Sequence, residues 1–168
     1  MFFKEIVEPI YLNSPIINLK RQIMEKEVIK ILEVIVASSY GLALKTQNYH
    51  WNVTGADFKP VHEMFGAQYQ ELSDAIDELA ERIRSLGEKV EGSFENFSKL
   101  SKVKSGDKNL KANDMLTDLV SGHETIVKLL HDGIKAAQKA GDEATADMFI
   151  GRIESHEKAA WMLRSSIS

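Results

Sequence analysis

Cysteine is absent from this chain of 168 residues. That excludes a disulfide framework, a thiolate metal site and a cysteine nucleophile. Proline is scarce, three in all, and two of them, Pro9 and Pro15, fall within residues 1–17, which lack sustained periodicity and read as a loosely ordered arm. No stretch approaches the roughly 18 uncharged apolar residues that a membrane-spanning helix needs. The opening MFFKEIVEPIY is broken by Lys4, Glu5, Glu8 and Pro9 and has no apolar signal-peptide segment, so a cytoplasmic location is expected. HExxH, a glycine-rich phosphate loop and a serine in a nucleophile elbow are also missing, which speaks against a zincin-like protease, a phosphate-loop NTPase or a serine hydrolase. Net charge is −4 and neither end carries a run of lysines. Low-complexity tracts and internal repeats are lacking too.

What is present suits one soluble domain over residues 1–168, with 43% apolar residues to fill a core and 27% charged residues to cover it. From Asn18 onward, Ile23, Val28, Ile31, Leu32, Ile35, Val36, Leu42 and Leu44 keep helical spacing up to the region of His50. The apolar face is broad enough to meet both a core and a partner. A second helix is expected from Phe58 to Leu86, stopped at Gly87, and a polar connection of about 25 residues follows, long for a compact domain. Within it, SFENFSKLS (93–101) predicts a short helix with Phe94 and Phe97 turned inward. A third helix starts near Asn113 or Asp114 and ends at Gly141, and Asp142 caps a fourth. Four long helices with one long connection between the second and third describe an all-α four-helix bundle of ferritin-like type, with a short extra helix in that connection.

The stretch HWNVTGADFKPVHEMFGAQYQELSDAIDELAE, His50 to Glu81, carries the chemistry. Thr54-Gly55 interrupts the helix, Asp57 is a capping residue for the next one, and Pro60 is tolerated in a first turn. His50 therefore ends one helix and His62 begins the next, so in an antiparallel hairpin both imidazoles lie at the same end. Asp77 and Glu81, four apart, share one helix face. Yet Asp77 is 15 residues beyond His62, roughly 22 Å along the axis at the α-helical rise. One chain cannot close a site with all four, whereas two chains with antiparallel second helices across a two-fold axis can close two. Two imidazoles and two carboxylates suit Fe(II), Mn(II) or Zn(II) better than Ca or Mg. The plainer explanation is a solvated charged face, with Glu78 and Arg82 forming an ordinary i, i+4 ion pair.

KTQNYHWNVTG, then VHEMF, then DELAERIRSLG together resemble the signature of the Dps family, mini-ferritins that oxidise and store iron and in some members bind DNA. The likeness extends more loosely from about Asn18 to the C-terminus. It implies a ferroxidase centre between subunits with His50 and His62 from one chain and Asp77 and Glu81 from the other, in a hollow dodecamer built from antiparallel dimers. It further implies Fe(II) and hydrogen peroxide as substrates, with ferric mineral stored inside and DNA protected from oxidative damage. Trp51 resembles the family tryptophan beside the centre that intercepts radical equivalents, with a helix-end aromatic anchor as the alternative. Many members carry an acidic residue four places after the second histidine, where this chain has Gly66, which puts the second iron position in doubt. No histidine follows a glutamate at the ExxH spacing of in-bundle di-iron centres, which favours the shared site.

Asp142 and Asp147 resemble the acids that line the three-fold pores of such cages, though helix N-termini favour acids anyway. Glu63 and Glu71 are candidates for seeding mineral. His123, His131 and His156 read as exposed or hydrogen-bonded helix histidines. KLSKVKSGDKNLK, Lys99 to Lys111, holds five lysines and one aspartate, either a solvated loop or a weak, salt-sensitive phosphate-binding surface. The competing function is a DNA-compacting or surface-interaction protein that keeps the bundle with little ferroxidase activity.

Overall fold

The computed structural model describes residues 15–167, apart from the side chains of 15–18, 20 and 21. Five helices appear in the order α1 (Pro15–Asn52), α2 (Phe58–Ser85), α3 (Phe94–Leu100), α4 (Ala112–Ala140) and α5 (Glu143–Ser165), and the described residues contain no strand. The chain folds as the expected four-helix bundle with a short helix in the long connection. None of the helices described is long and apolar enough to cross a membrane.

Helix boundaries follow local chemistry, with corrections to the sequence reading. α1 begins at Pro15, three residues before Asn18, because proline's fixed φ and missing N–H suit a first helical position. Of the arm expected over residues 1–17, the first 14 lie outside the described residues. Asp57 precedes α2 but makes no side-chain capping bond. Ser93 does cap α3, accepting from the Asn96 amide, and Asp142 caps α5, accepting from Thr145. α4 starts at Ala112 and ends at Gly141, whose φ of 71° is the left-handed conformation that glycine adopts without penalty.

α1 packs along α2, and α4 along α5, as two hairpins joined through the contact of α1 with α4. Leu32, Ile35, Leu42, Tyr49, Phe65, Leu72, Leu79, Leu119, Leu130 and Phe149 form the centre of one buried cluster. The seam between α2 and α5 is bridged by polar side chains. Gln68 reaches the Ala159 carbonyl, Glu71 takes a two-pronged ion pair from Arg152, and Arg82 reaches Asp142 at 2.6 Å and Thr145 at 2.8 Å. Arg82 is thus paired across the seam and not with Glu78, because the cap carboxylate of α5 lies within reach and is less exposed. Burial alone would raise the Asp142 carboxyl, but the Thr145 hydroxyl and amide and the Arg82 charge outweigh it and hold it below the usual range.

The long connection is held by named bonds. Ser38 Oγ accepts from the Lys102 amide at 3.1 Å, Val103 is buried, and Tyr49 Oη accepts from the Asp107 amide at 3.3 Å. Tyr49 donates to Asp118 at 2.6 Å, and buried Lys45 pairs with the same carboxylate at 2.9 Å. Phe97 stacks on Tyr40 with ring centroids 4.6 Å apart. Phe94 departs from expectation, for at 90% exposure it points out. A seven-residue helix can turn only one side to the core, and Phe97 takes it.

His123 on α4 and His156 on α5 are also buried, with Nδ1 atoms 2.9 Å apart. Burial and the Arg152 charge push His123 down to about 4, and burial, His123 and Arg152 push His156 down as well. Both are neutral in the fold at neutral pH, whereas in the unfolded chain each takes a proton near pH 6.5. The His123 contribution is fully present above that pH and is lost as pH falls toward 4, about 3 kcal/mol from this residue alone. Chemical denaturation should show stability declining across that interval. An NMR titration in which the His123 ring protonates near 6.5 in the folded protein would contradict the assignment.

Candidate metal centre

The break at Thr54-Gly55 turns the end of α1 back against the start of α2 and sets His50 beside His62. Their rings stack with centroids 3.7 Å apart and planes inclined by 19°. His50 Nδ1 lies 2.8 Å from the His62 carbonyl, and His62 Nδ1 lies 2.7 Å from the His50 carbonyl. A carbonyl oxygen only accepts, so each Nδ1 carries the hydrogen. The His50 carbonyl is free because it lies in the last turn of α1, where no later helical amide reaches it. The His62 carbonyl accepts through a second lone pair beside its regular helical bond to the Gly66 amide. This reciprocal clasp leaves both Nε2 atoms as lone-pair donors, with no hydrogen-bond partner among the described residues. Tyr69 meets the His50 ring edge-on at 5.4 Å, and Phe58 lies 5.1 Å from the His62 ring.

Gly66 leaves the His50 ring room. A Cβ there would sit 3.2 Å from His50 Cε1 and 3.4 Å from Nδ1. A larger residue there requires the imidazole to give by a few tenths of an ångström.

Asp77 and Glu81 are exposed on the C-terminal half of α2, and neither makes a hydrogen bond or ion pair within the described residues. The structure brings the two histidines together and leaves the two carboxylates together elsewhere. Among the described residues no three metal-binding side chains of one chain converge. The histidine pair and the carboxylate pair stand apart on one chain.

Trp51, beside His50, is 63% exposed. Asp142 is occupied by its cap and Arg82, whereas Asp147 is exposed on α5. Glu63 is exposed, 3.9 Å from Lys59, and Glu71 is tied to Arg152. In the lysine loop Lys99 pairs with Glu95 at 2.6 Å, while Lys102, Lys104, Lys108 and Lys111 are exposed. Sequence spacing could not reveal the clasp or the buried His123–His156 pair. The only signal was that GH and SH on α4 and α5 fall in register with apolar neighbours.

The clasp has a spectroscopic consequence. At neutral pH the uncharged form of both His50 and His62 should carry its hydrogen on Nδ1, read from ring 15N shifts in metal-free protein. A dominant Nε2–H form in either ring would overturn it. Gly66→Val should displace His50 and cost about 1–3 kcal/mol by crowding, measured by chemical denaturation.

Comparison with known proteins places this architecture. The ferritin-like domain model matches residues 29–168. "DNA protection during starvation protein 2" of Bacillus anthracis is 34% identical over 145 residues, covering 86% of this chain and 99% of that protein. The crystal structure of Dps from Staphylococcus aureus superposes with a TM-score of 0.82 at 36% identity, covering 85% of this chain and 96% of that one. The DPS protein of Vibrio cholerae, described as a member of a broad superfamily of ferritin-like diiron-carboxylate proteins, gives 0.83 at 28% identity over 87% and 92% of the two chains. On matched length, sequence and fold together, the chain belongs to the Dps family of ferritin-like proteins.

Proposed function

We propose that the protein is a mini-ferritin that takes up Fe(II), oxidises it at sites shared between two subunits, preferably with hydrogen peroxide, and stores ferric mineral in a dodecameric cage. The observation that carries this reading is the pair of complementary half-sets: two Nε2 lone pairs fixed by backbone carbonyls, and two unpaired carboxylates too far along the same helix to meet them.

His50 and His62 would supply nitrogen donors whose rings the backbone carbonyls already fix, so little side-chain freedom is lost on binding. Asp77 and Glu81 of the neighbouring subunit supply two negative charges, enough to neutralise one divalent ion. Gly66 adds none, so a second ferrous ion is held more weakly, through water. In the oxidation each ferrous ion gives up one electron, two electrons cleave one peroxide O–O bond, and the resulting ferric ions hydrolyse to mineral with release of protons. Consuming iron and peroxide together suppresses hydroxyl-radical chemistry and so protects DNA. Trp51, exposed beside His50, would trap radical equivalents that escape. Asp147 is free to draw cations toward a pore, with Asp142 setting the start of the same helix. Glu63 is the more accessible of the two mineral-seeding candidates, since Glu71 is engaged by Arg152. Protons compete for the imidazole lone pairs, so metal binding weakens as solutions become acidic.

Subunit mixing tests the shared site. His50→Ala/His62→Ala and Asp77→Ala/Glu81→Ala chains should each lose peroxide-driven Fe(II) oxidation by roughly 10-fold or more. Refolded together in equal amounts, they should regain roughly a quarter of wild-type activity, because half the dimers are mixed and each mixed dimer has one intact site of two. No recovery in assembled mixtures, or wild-type rates in either variant alone, would reject the proposal.

A further inference from the structure

Three of the long helices turn polar side chains into one layer of the core. On α5, Arg152 and His156 stand four apart, share a face and are both buried. From α4, buried His123 meets His156 through Nδ1. From α2, Gln68 reaches the Ala159 carbonyl, and Glu71, three residues on, holds the Arg152 guanidinium. The Arg152 charge acts on both imidazoles, so these side chains share one neighbourhood.

Three atoms of the layer, Gln68 Oε1, His123 Nε2 and Arg152 Nε, are buried without a hydrogen-bond partner among the described residues. Buried polar atoms in folded proteins are nearly always satisfied, by other protein groups or by ordered water. Here their chemistry is complementary. Arg152 Nε only donates. Gln68 Oε1 only accepts, because the nitrogen of that amide is the atom that must face the Ala159 carbonyl. His123 Nε2 can play either part.

We infer that these three atoms form a closed internal site for one water molecule, which accepts from Arg152 Nε and donates to Gln68 Oε1 and to His123 Nε2. One bond accepted and two donated match the roughly three that a buried water makes. Bundle cores of this type are where facing helices build metal sites, but this layer suits a neutral protic molecule. An N–H points inward, the Glu71 carboxylate is taken by Arg152, and no third metal-binding side chain joins the two histidines among the described residues. A small anion fits no better, since Gln68 offers it an oxygen. The site also sets the hydrogens of the histidine pair. With its Nε2 lone pair turned to the water, His123 carries hydrogen on Nδ1 and donates it to His156 Nδ1, which leaves the His156 hydrogen on Nε2. The polar chain runs one way, from Arg152 through the water and His123 to His156.

X-ray and neutron diffraction from crystals of the wild-type protein test both parts. One solvent molecule should lie within hydrogen-bond distance of all three atoms, with deuterium on His123 Nδ1 and His156 Nε2. Arg152 Nε packed directly on Gln68 Oε1 or His123 Nε2 with no solvent between them would overturn the site, and an ion identified there by anomalous scattering would overturn its chemistry. Deuterium on His123 Nε2 would overturn the direction of the chain. Gln68→Leu, which keeps the bulk and deletes the acceptor, should lose the solvent molecule while Arg152 keeps its hold on Glu71 and helical circular dichroism is retained. The same solvent peak in that variant would remove Gln68 from the site.

Discussion

The rise of an α-helix, about 1.5 Å per residue, governs what one subunit of this protein can and cannot do. His62 and Asp77 are both on α2, and a rigid helix keeps them about 15 steps apart whatever the rest of the bundle does. No rotamer closes that gap. The histidine and carboxylate pairs therefore stay apart within one copy, and the packing around α2 supports it on two sides. Its apolar side packs against α1, and its far side is tied to α5 by Gln68, Glu71 and Arg82.

The precision of the histidine pair comes from main-chain atoms. A helix end has carbonyls without helical partners, and the end of α1 uses one of them to orient the ring of a residue on α2, while α2 returns the favour. The imidazoles are thereby held in one orientation by the backbone. Gly66 belongs to the same device, since it gives the His50 ring room. An acidic residue there would bring a further ligand but also the Cβ that crowds the ring.

Much of this was legible in the sequence. Apolar spacing located the long helices, Ser93, Gly141 and Asp142 marked ends, and the His50-to-Glu81 stretch showed a histidine pair and a carboxylate pair too far apart to meet within one chain. The motif resemblance supplied the family. What was hidden depends on contacts between residues distant in the chain. Arg82 looked like the i, i+4 partner of Glu78 because local spacing cannot know that the Asp142 cap lies alongside. Phe94 looked as deserving of burial as Phe97, since hydrophobicity does not say which side of a short helix faces in. Nor could composition show that His123 and His156 pair inside the bundle, a polar contact among residues otherwise chosen for their apolar bulk.

Tyr49 and His50 are adjacent on α1 and point to different clients. The phenol of Tyr49 is the post to which the long outer connection is tied, through the Asp107 amide and the Asp118 carboxylate that also holds Lys45, while the next side chain is half of the nitrogen pair. A single turn of helix therefore anchors both the long connection and the histidine pair. Any twist of that turn moves the tether of the connection and the imidazole together, because the two side chains hang from neighbouring Cα atoms of one helix.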